Sequence, residues 1–483
     1  MLAYFRIRER QSTVGREVLG GLTTFMAMSY ILFVQPAVLG KAGMDKGGVF
    51  MATCIASALA CFLMGLLANY PIALAPGMGE NIFFVFTLCG GVAYVATTAP
   101  ATSSAPTGAF HLIWPEALAL TAAVGILFLL LSTVGLRSML LNAIPDALKS
   151  GIAAGIGLFI ALIGFEMGNL IQGHPVTYVT LTNIHGNYVA ALTLLGLGIT
   201  LALLAFEVRG AILIGLLATT LATWLVGAIW DVPSVAYHGM VGVPHGLGAT
   251  AGAFWGGFGS LGGKLFGPHA LEVIGFAFVL LFMDLFDTVG TLVGVANRAN
   301  LMRGRDLPRA QHALAADAGG TVIGGMLGTS TVTSYIESIT GVASGARTGL
   351  AAIVAGLCML AALLFQPLVE MIGGGVNIAP AGAPKLLRYP MIAPALIVVG
   401  AMMMRAMKQV EWDDITESLP AFLALVSIPF TYSIATGIAI GFISYAFGKL
   451  ISGRARQCPV VVYVFAALFV LQYVVGAVTH AIH

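Results

Sequence analysis

Asp284 and Asp287 stand three residues apart in Phe282-Met283-Asp284-Leu285-Phe286-Asp287-Thr288, near one face of a helix in an otherwise apolar stretch. An ionisable group at the centre of a membrane helix costs at least about 2.5–3.5 kcal/mol, so the default reading is a functional site. Neighbouring acids withdrawn from water suit the holding and release of protons. Asp287 is read in that way; for Asp284 a helix-to-helix hydrogen bond is an equal alternative.

Two further acids lie in stretches that make poor continuous helices. Glu80 and Asn81 follow two prolines and two glycines in Pro71-Ile72-Ala73-Leu74-Ala75-Pro76-Gly77-Met78-Gly79. A break at membrane depth frees backbone groups, which is tolerated only inside protein or beside a watery cavity. Past the break a half-helix would begin at Glu80 and Asn81, its free N–H groups and dipole suited to polar ligand atoms. The competing reading is a proline kink with the carboxylate at an interface. Glu337 follows Gly328-Thr329-Ser330-Thr331-Val332-Thr333-Ser334-Tyr335-Ile336 and precedes Ser338. These hydroxyl-bearing and β-branched residues predict a short extended piece leading into a helix. It could pair with its counterpart near residue 75, leaving side chains exposed to a cavity; an extramembrane loop is the alternative. Asp317 is either a helix-end charge or a proton relay, and Glu166 is read as interfacial. Tyr30, Phe83, Phe84 and Phe286 could stack on a flat ligand, although aromatics in apolar helices usually just pack.

These residues need a membrane around them. Of 483 residues 59% are hydrophobic and 9% charged, and the mean hydropathy is +0.97. A soluble domain carries about 25% charged residues, so a water-soluble globule is excluded. One span takes about 20 apolar residues. Apolar stretches fall at 17–39, 48–69, 71–89, 116–136, 146–172, 188–206, 210–231, 270–297, 311–328, 330–345, 348–372, 390–408, 418–451 and 459–480. That is fourteen, or fifteen if the tract at 418–451, with Pro429 inside, is two helices and the last segment also crosses. With the N-terminus in the cytoplasm and that tract counted twice, only Lys41, Lys46, Lys264, Lys385 and Arg388 of the 22 basic residues fall outside. Arg137, Arg303 and Arg305 are among those inside, as the positive-inside rule requires. Two groups of seven spans flank the loop at 232–269, and an odd number per half predicts an inverted repeat. A shift of 256 residues places Asn81 on Glu337.

Other chemistries find little support. Five cysteines show no paired spacing, and Cys54 and Cys61, seven apart, are read as packing. His238 and His245 share a loop without a third ligand, so no metal site is expected. No basic run suits nucleic acid. Gly151 and Gly155 mark close helix packing. The intramembrane-protease signatures GxGD and HExxH are absent, and the polar residues cluster in three spans instead of lining a pore.

Ala75-Pro76-Gly77-Met78-Gly79-Glu80-Asn81-Ile82-Phe83-Phe84, the stretch Met283–Leu292 and the stretch Gly328–Leu350, with Trp412–Phe422 after them, resemble the AzgA-type purine permeases of the nucleobase–cation symporter family. The resemblance covers essentially the whole chain. It implies an all-α polytopic membrane protein with the UraA-like fold: about fourteen spans in two inverted seven-span repeats, spans 3 and 10 each with a short strand plus a half-helix. It divides the chain into a core (1–138 and 265–375) and a gate (139–264 and 376–483). It implies proton-driven import of a purine base across the inner (plasma) membrane, with no cofactor and with homodimers common for the fold. The family's substrate-binding acids fall on Asp287 and Glu337 and its asparagine on Asn81, with Glu80, Phe83, Thr333 and Ser338 beside them. Asp284, Asp287, Asp317 and Glu337 are the proton-coupling candidates. The Asn81 form resembles the guanine/hypoxanthine group more than the adenine group. Glu80 stands where members commonly have leucine, which bears on substrate range and proton stoichiometry.

Overall fold

In hydrocarbon a helix satisfies its own backbone, and the apolar runs fold accordingly in the computed structural model, which describes residues 2–91, 110–134, 144–235, 237, 239–302, 307–379 and 385–482. Arg137, His238, Arg303, Arg305 and the boundary expected after residue 138 lie outside these residues. In chain order the first half comprises α1 (Val14–Met28), α2 (Ile31–Leu39), α3 (Lys46–Leu63), β1 (Leu74–Pro76), α4 (Met78–Ile82), α5 (Trp114–Val134), α6 (Asp146–Met167), β2 (Ile171–His174), β3 (Tyr178–Leu181), α7 (Tyr188–Ala205) and α8 (Ala211–Trp230). The second comprises α9 (Ala253–Leu265), α10 (Ala270–Arg298), α11 (Ala310–Leu327), β4 (Val332–Ser334), α12 (Ser338–Ala343), α13 (Gly349–Ala362), α14 (Gln366–Gly374), α15 (Ala393–Met403), α16 (Ile415–Thr431), α17 (Ile434–Ile451) and α18 (Val460–Ile482).

Among the described residues nine helical stretches are long and apolar enough to cross a membrane. Of the other expected stretches, 311–328 and 459–480 form the helices α11 and α18, and the rest are broken at β1 and β4, shortened to α15, or divided. The tract at 418–451 splits because Tyr432 takes a left-handed φ of 53° and Ser433 caps the next helix. A hairpin and a helix are among the elements that went unforeseen. Beyond Met167 the chain turns into the β2–β3 hairpin, and the expected loop at 232–269 holds α9, whose many glycines hide its helical character. Lys264 on α9 pairs with the buried Glu116 at 2.6 Å.

Helix starts are capped by Thr13, Asp45, Asn187, Thr348, Asp414 and Ser433, whose side chains accept free N–H groups of the first turn. Helices α1, α3, α5, α11 and α13 pack in succession around β1 and β4, whereas α6 packs against α15 and α16, and α16 against α17. Gly151 and Gly155 lie in that second group: a Cβ on Gly151 would stand 2.7 Å from Ala421 Cα, and one on Gly155 3.0 Å from Leu425 Cα. The close packing expected of them is present. The 412–422 stretch ties α16 to α17, since Glu417 accepts from Tyr445 at 2.7 Å and pairs with the buried Lys449 at 2.6 Å.

The N-terminal arm is fastened to the start of α13. Buried Glu17 accepts the backbone N–H groups of Arg347 (2.9 Å) and Thr348 (3.1 Å), while Asn69 accepts that of Gly349 (2.7 Å). Arg10 donates to the carbonyls of Asn69 and Arg347 at 2.7 and 2.9 Å. Removing a buried acceptor of this kind costs about 1.5–3 kcal/mol. Glu17→Ala is expected to lower the unfolding temperature of the detergent-purified protein, and Glu17→Gln, which still accepts, to lower it less.

Candidate functional site

Strands β1 and β4 pair antiparallel, Leu74 opposite Ser334, Ala75 opposite Thr333 and Pro76 opposite Val332. Their flanks are closed as well. Tyr335 N–H donates to Ala73 O at 3.0 Å, and Gly77 N–H to Thr331 O at 3.1 Å. Ser338 Oγ accepts Ala73 N–H at 3.0 Å, and the Tyr335 hydroxyl donates to Pro76 O at 2.6 Å. Cys61 sulfur accepts Leu74 N–H at 3.2 Å, a polar duty beyond the packing expected of it. Every strand residue is buried, so side chains supply the partners that water would give elsewhere.

At the two ends of this ribbon the chain turns helical, and the acids gather there. Glu80 lies three residues into the helical run Met78–Leu88 and is 2% exposed. Its carboxylate folds back over Gly77: a Cβ on Gly77 would overlap Glu80 Oε2 and lie 2.7 Å from Thr333 Cγ2. Gly77 is therefore required for its missing side chain. The half-helix N-terminus, expected to face a ligand, is occupied by the chain's own carboxylate. Asn81 is fully buried, its Oδ1 accepting the Ser330 hydroxyl, and so ties α4 to the segment before β4.

Helix α10 crosses beside the ribbon. Asp317 on α11 accepts from Thr288 at 2.6 Å and from Ser334 at 3.0 Å. Asp284 accepts from Thr321 at 3.2 Å. Both acids are fully buried, Asp317 receiving hydroxyl hydrogens from α10 and β4 and Asp284 one from α11. Asp287, one turn along α10, is exposed, as are Gly290, Val293 and Asn297 on the same stripe toward Arg298. Glu337 is half-buried at the start of α12, its Oε1 accepting the Tyr30 hydroxyl at 2.9 Å.

The structure thus brings Glu80, Asp287, Asp317, Glu337 and Thr333 to one region between α4, α10, α11 and β4. Ser338 is spent on the backbone of Ala73. Phe83 is fully buried and meets Phe276 edge-on at 6.4 Å, about two turns before Asp284. Phe286 lies 5.6 Å under the Lys149 ammonium, facing α6. Of the aromatics named from sequence, only Tyr30 is hydrogen-bonded to one of these acids. It stands where α1 and α2 part, a break not foreseen. Also missed were Gln35, Thr288, Thr321 and Ser330. Gln35 is fully buried and donates to Thr329 at 2.9 Å and Ser330 at 3.3 Å. A glutamine beside Pro36 within an apolar run was the available signal. Among the described residues no cluster of three metal-ligating side chains occurs.

Comparison with known proteins finds relatives along most of the chain. Residues 15–440 match the Permease family, Xan_ur_permease. The guanine/hypoxanthine permease PbuG of Bacillus subtilis is 39% identical over 98% of this chain and 99% of its own length. The adenine permease AdeP of Escherichia coli is 37% identical over 97% and 95%. Among solved structures, the transmembrane domain of the cyanobacterial bicarbonate transporter BicA superposes with a TM-score of 0.58 at 14% identity, over 87% of this chain and 96% of that one. SLC26A9 gives 0.60 at 14% identity, over 93% and 66%. These two likenesses show the fold. The relatives are named as permeases, not as enzymes, and on the match along most of its length this chain is a multi-pass membrane protein belonging to the Permease family.

Proposed function

We propose that the protein imports purine nucleobases, guanine or hypoxanthine first, with protons across the inner (plasma) membrane, its N-terminus in the cytoplasm. The observation that carries this reading is the pair of broken spans whose strands meet antiparallel and whose ends carry Glu80 and Glu337, with α10 and its Asp287 packed beside them. The full-length similarity to a guanine/hypoxanthine permease directs it to purines.

A purine is apolar on its faces and carries N–H donors and acceptors around its edge. Glu337, with one oxygen held by Tyr30, keeps lone pairs for ring or exocyclic N–H groups. Asp287, exposed on the stripe of α10 that ends near Arg298, is the second acceptor. A site that pairs these edges rejects analogues by leaving its own groups unpaired. The fourteen-span organisation belongs to this reading. The core comprises 1–138 and 265–375 and moves elevator-like against a gate of 139–264 and 376–483. The separate packing of α6 with α15 and α16 supports that division. A homodimer is consistent with the fold. Adenine is the second cargo, favoured by the likeness to AdeP.

Uptake of labelled hypoxanthine, competed by guanine, adenine, xanthine and uracil with and without a protonophore, tests the whole. Purine-selective uptake that collapses with the protonophore is expected, and the order of competition names the cargo. Absence of any base uptake by protein that reaches the membrane overturns the purine assignment. Glu337→Gln is expected to abolish uptake with normal membrane levels, and Asp287→Asn to cripple base binding or coupling; full-rate transport by the first removes Glu337 from the site. Tyr30→Phe leaves Glu337 in place but untethered. A hydrogen bond to a charged group is worth about 1.5–3 kcal/mol, so KM should rise by about tenfold or more, measured from initial uptake rates.

A further inference from the structure

A cavity of about 500 Å³ lies between the helical run Met78–Leu88, the start of α10, the junction of α16 with α17, and α18. Small-molecule sites occupy about 300–1,000 Å³ and are mostly apolar, with a few placed polar groups. Phe86, Phe276 and Tyr432 supply aromatic walls. Phe276 runs parallel to Phe110, also on the lining, at 6.1 Å and 16°, and Tyr432 meets Phe86 edge-on at 5.9 Å. Tyr432 holds this place with a left-handed backbone, a conformation rare for a bulky side chain. Every nucleobase has a π-face, so aromatic walls suit a flat base whatever its edge.

Two polar atoms on this lining have no partner among the described residues. Buried threonines elsewhere in the helices, Thr121, Thr200, Thr219 and Thr223 among them, give their hydroxyl hydrogen to the carbonyl four residues back at 2.7–2.9 Å. Thr87 does not. It is 6% exposed, and its buried hydroxyl bonds to no described residue. Its turn, Phe83–Leu88, is π-helical, a local widening that recurs at functional sites. His111 Nδ1, also on the lining, is likewise buried and unbonded. The imidazole rests on Gly90, where φ is +62° and a Cβ would lie 2.6 Å from the ring. Leaving a buried donor or acceptor unmet is costly, so both atoms call for a partner that enters the cavity.

We propose that this cavity is a second binding site for a purine base, a staging site on the outer side that holds the base before it passes to Glu337 and Asp287. The proposal rests on the reading of the protein as a purine importer with its N-terminus in the cytoplasm. In that orientation α10 begins at the outer face, after Lys264, and runs inward. Phe276 then stands outside Asp287 by eleven residues, about 16 Å of helix. Thr87 stands outside Glu80 on the run Met78–Leu88, so two elements lead from the cavity to the acids. The base lies against the aromatic walls, and Thr87 and His111 meet its edge, since a hydroxyl gives and accepts and an imidazole nitrogen does either according to tautomer. No carboxylate is on the described lining, so the base is held more loosely here than between Glu337 and Asp287 and is released toward them.

The test is equilibrium dialysis of labelled hypoxanthine against the full chain in detergent, with the base raised to its solubility limit. Two bases per chain are expected in the wild type and one in Glu337→Gln. In that second background Thr87→Val, which keeps the shape and removes the hydroxyl, should weaken the remaining site by about threefold to tenfold. Thr87→Ser, which keeps the hydroxyl, should restore it, a distinction that a packing role would not make. Ala435→Trp, which fills the cavity from α17, should abolish it; if that variant is not recovered folded, the valine and serine pair decides. One base per chain in the wild type with none in Glu337→Gln makes the cavity a passage only and overturns the staging site. A second site that Thr87→Val leaves unchanged overturns it as well. Either result leaves base import standing. A wild type that neither binds nor takes up any base overturns the purine reading, and the staging site with it.

Discussion

Everything in the centre of this molecule depends on six residues hydrogen-bonding to one another. Three from each half of the chain pair as β1 and β4 where no water is available to take their place. Two spans can therefore stop being helices at membrane depth without leaving bare amides in hydrocarbon. Once they stop, each begins again with free N–H groups, and the side chains beside those restarts need not satisfy a helix on either side. The paired strands thus create the polar interior, and the acids occupy it.

The acids differ in how they are held. Asp317 and Asp284 are buried and approached by threonine and serine hydroxyls from other elements. Asp287 and Glu337 face more open space. Glu80 is different again, folded onto the start of its own helix where the neighbouring glycine leaves room. Chemically similar side chains are thereby given different surroundings: two are buried against hydroxyls, two are more open, and one folds over the start of its own helix.

Much of this was legible in the sequence, for identifiable reasons. Proline and glycine before Glu80, and hydroxyl-bearing β-branched residues before Glu337, cannot sustain ordinary helices, so both broken spans announced themselves. The acids stood out because charge is rare in apolar stretches. What could not be read was which partner each side chain would choose. Asn81 looked like a ligand group and is engaged by Ser330. Phe83 looked like a stacking platform and lies against Phe276. Thr288 looked like one more small polar residue, because its meaning depends on Asp317, 29 positions later. The break at Tyr30 escaped notice since no proline or glycine marks it, and α9 because glycine suppresses helical expectation even where packing against α5 enforces it.

The fastening of the N-terminal arm has a mechanical consequence. Glycines on α1 and α12 meet closely: a Cβ on Gly20 would press on Ala346 and on the Gly341 carbonyl. Ser12 reaches the carbonyl of Gly345. Glu337 opens α12, is gripped at one end by Tyr30 of the first span, and is anchored at the other through this seam. The first span therefore touches the short helix that Glu337 opens at both of its ends, through the Tyr30 hydroxyl at the start and through the Gly20 and Ser12 contacts at the finish.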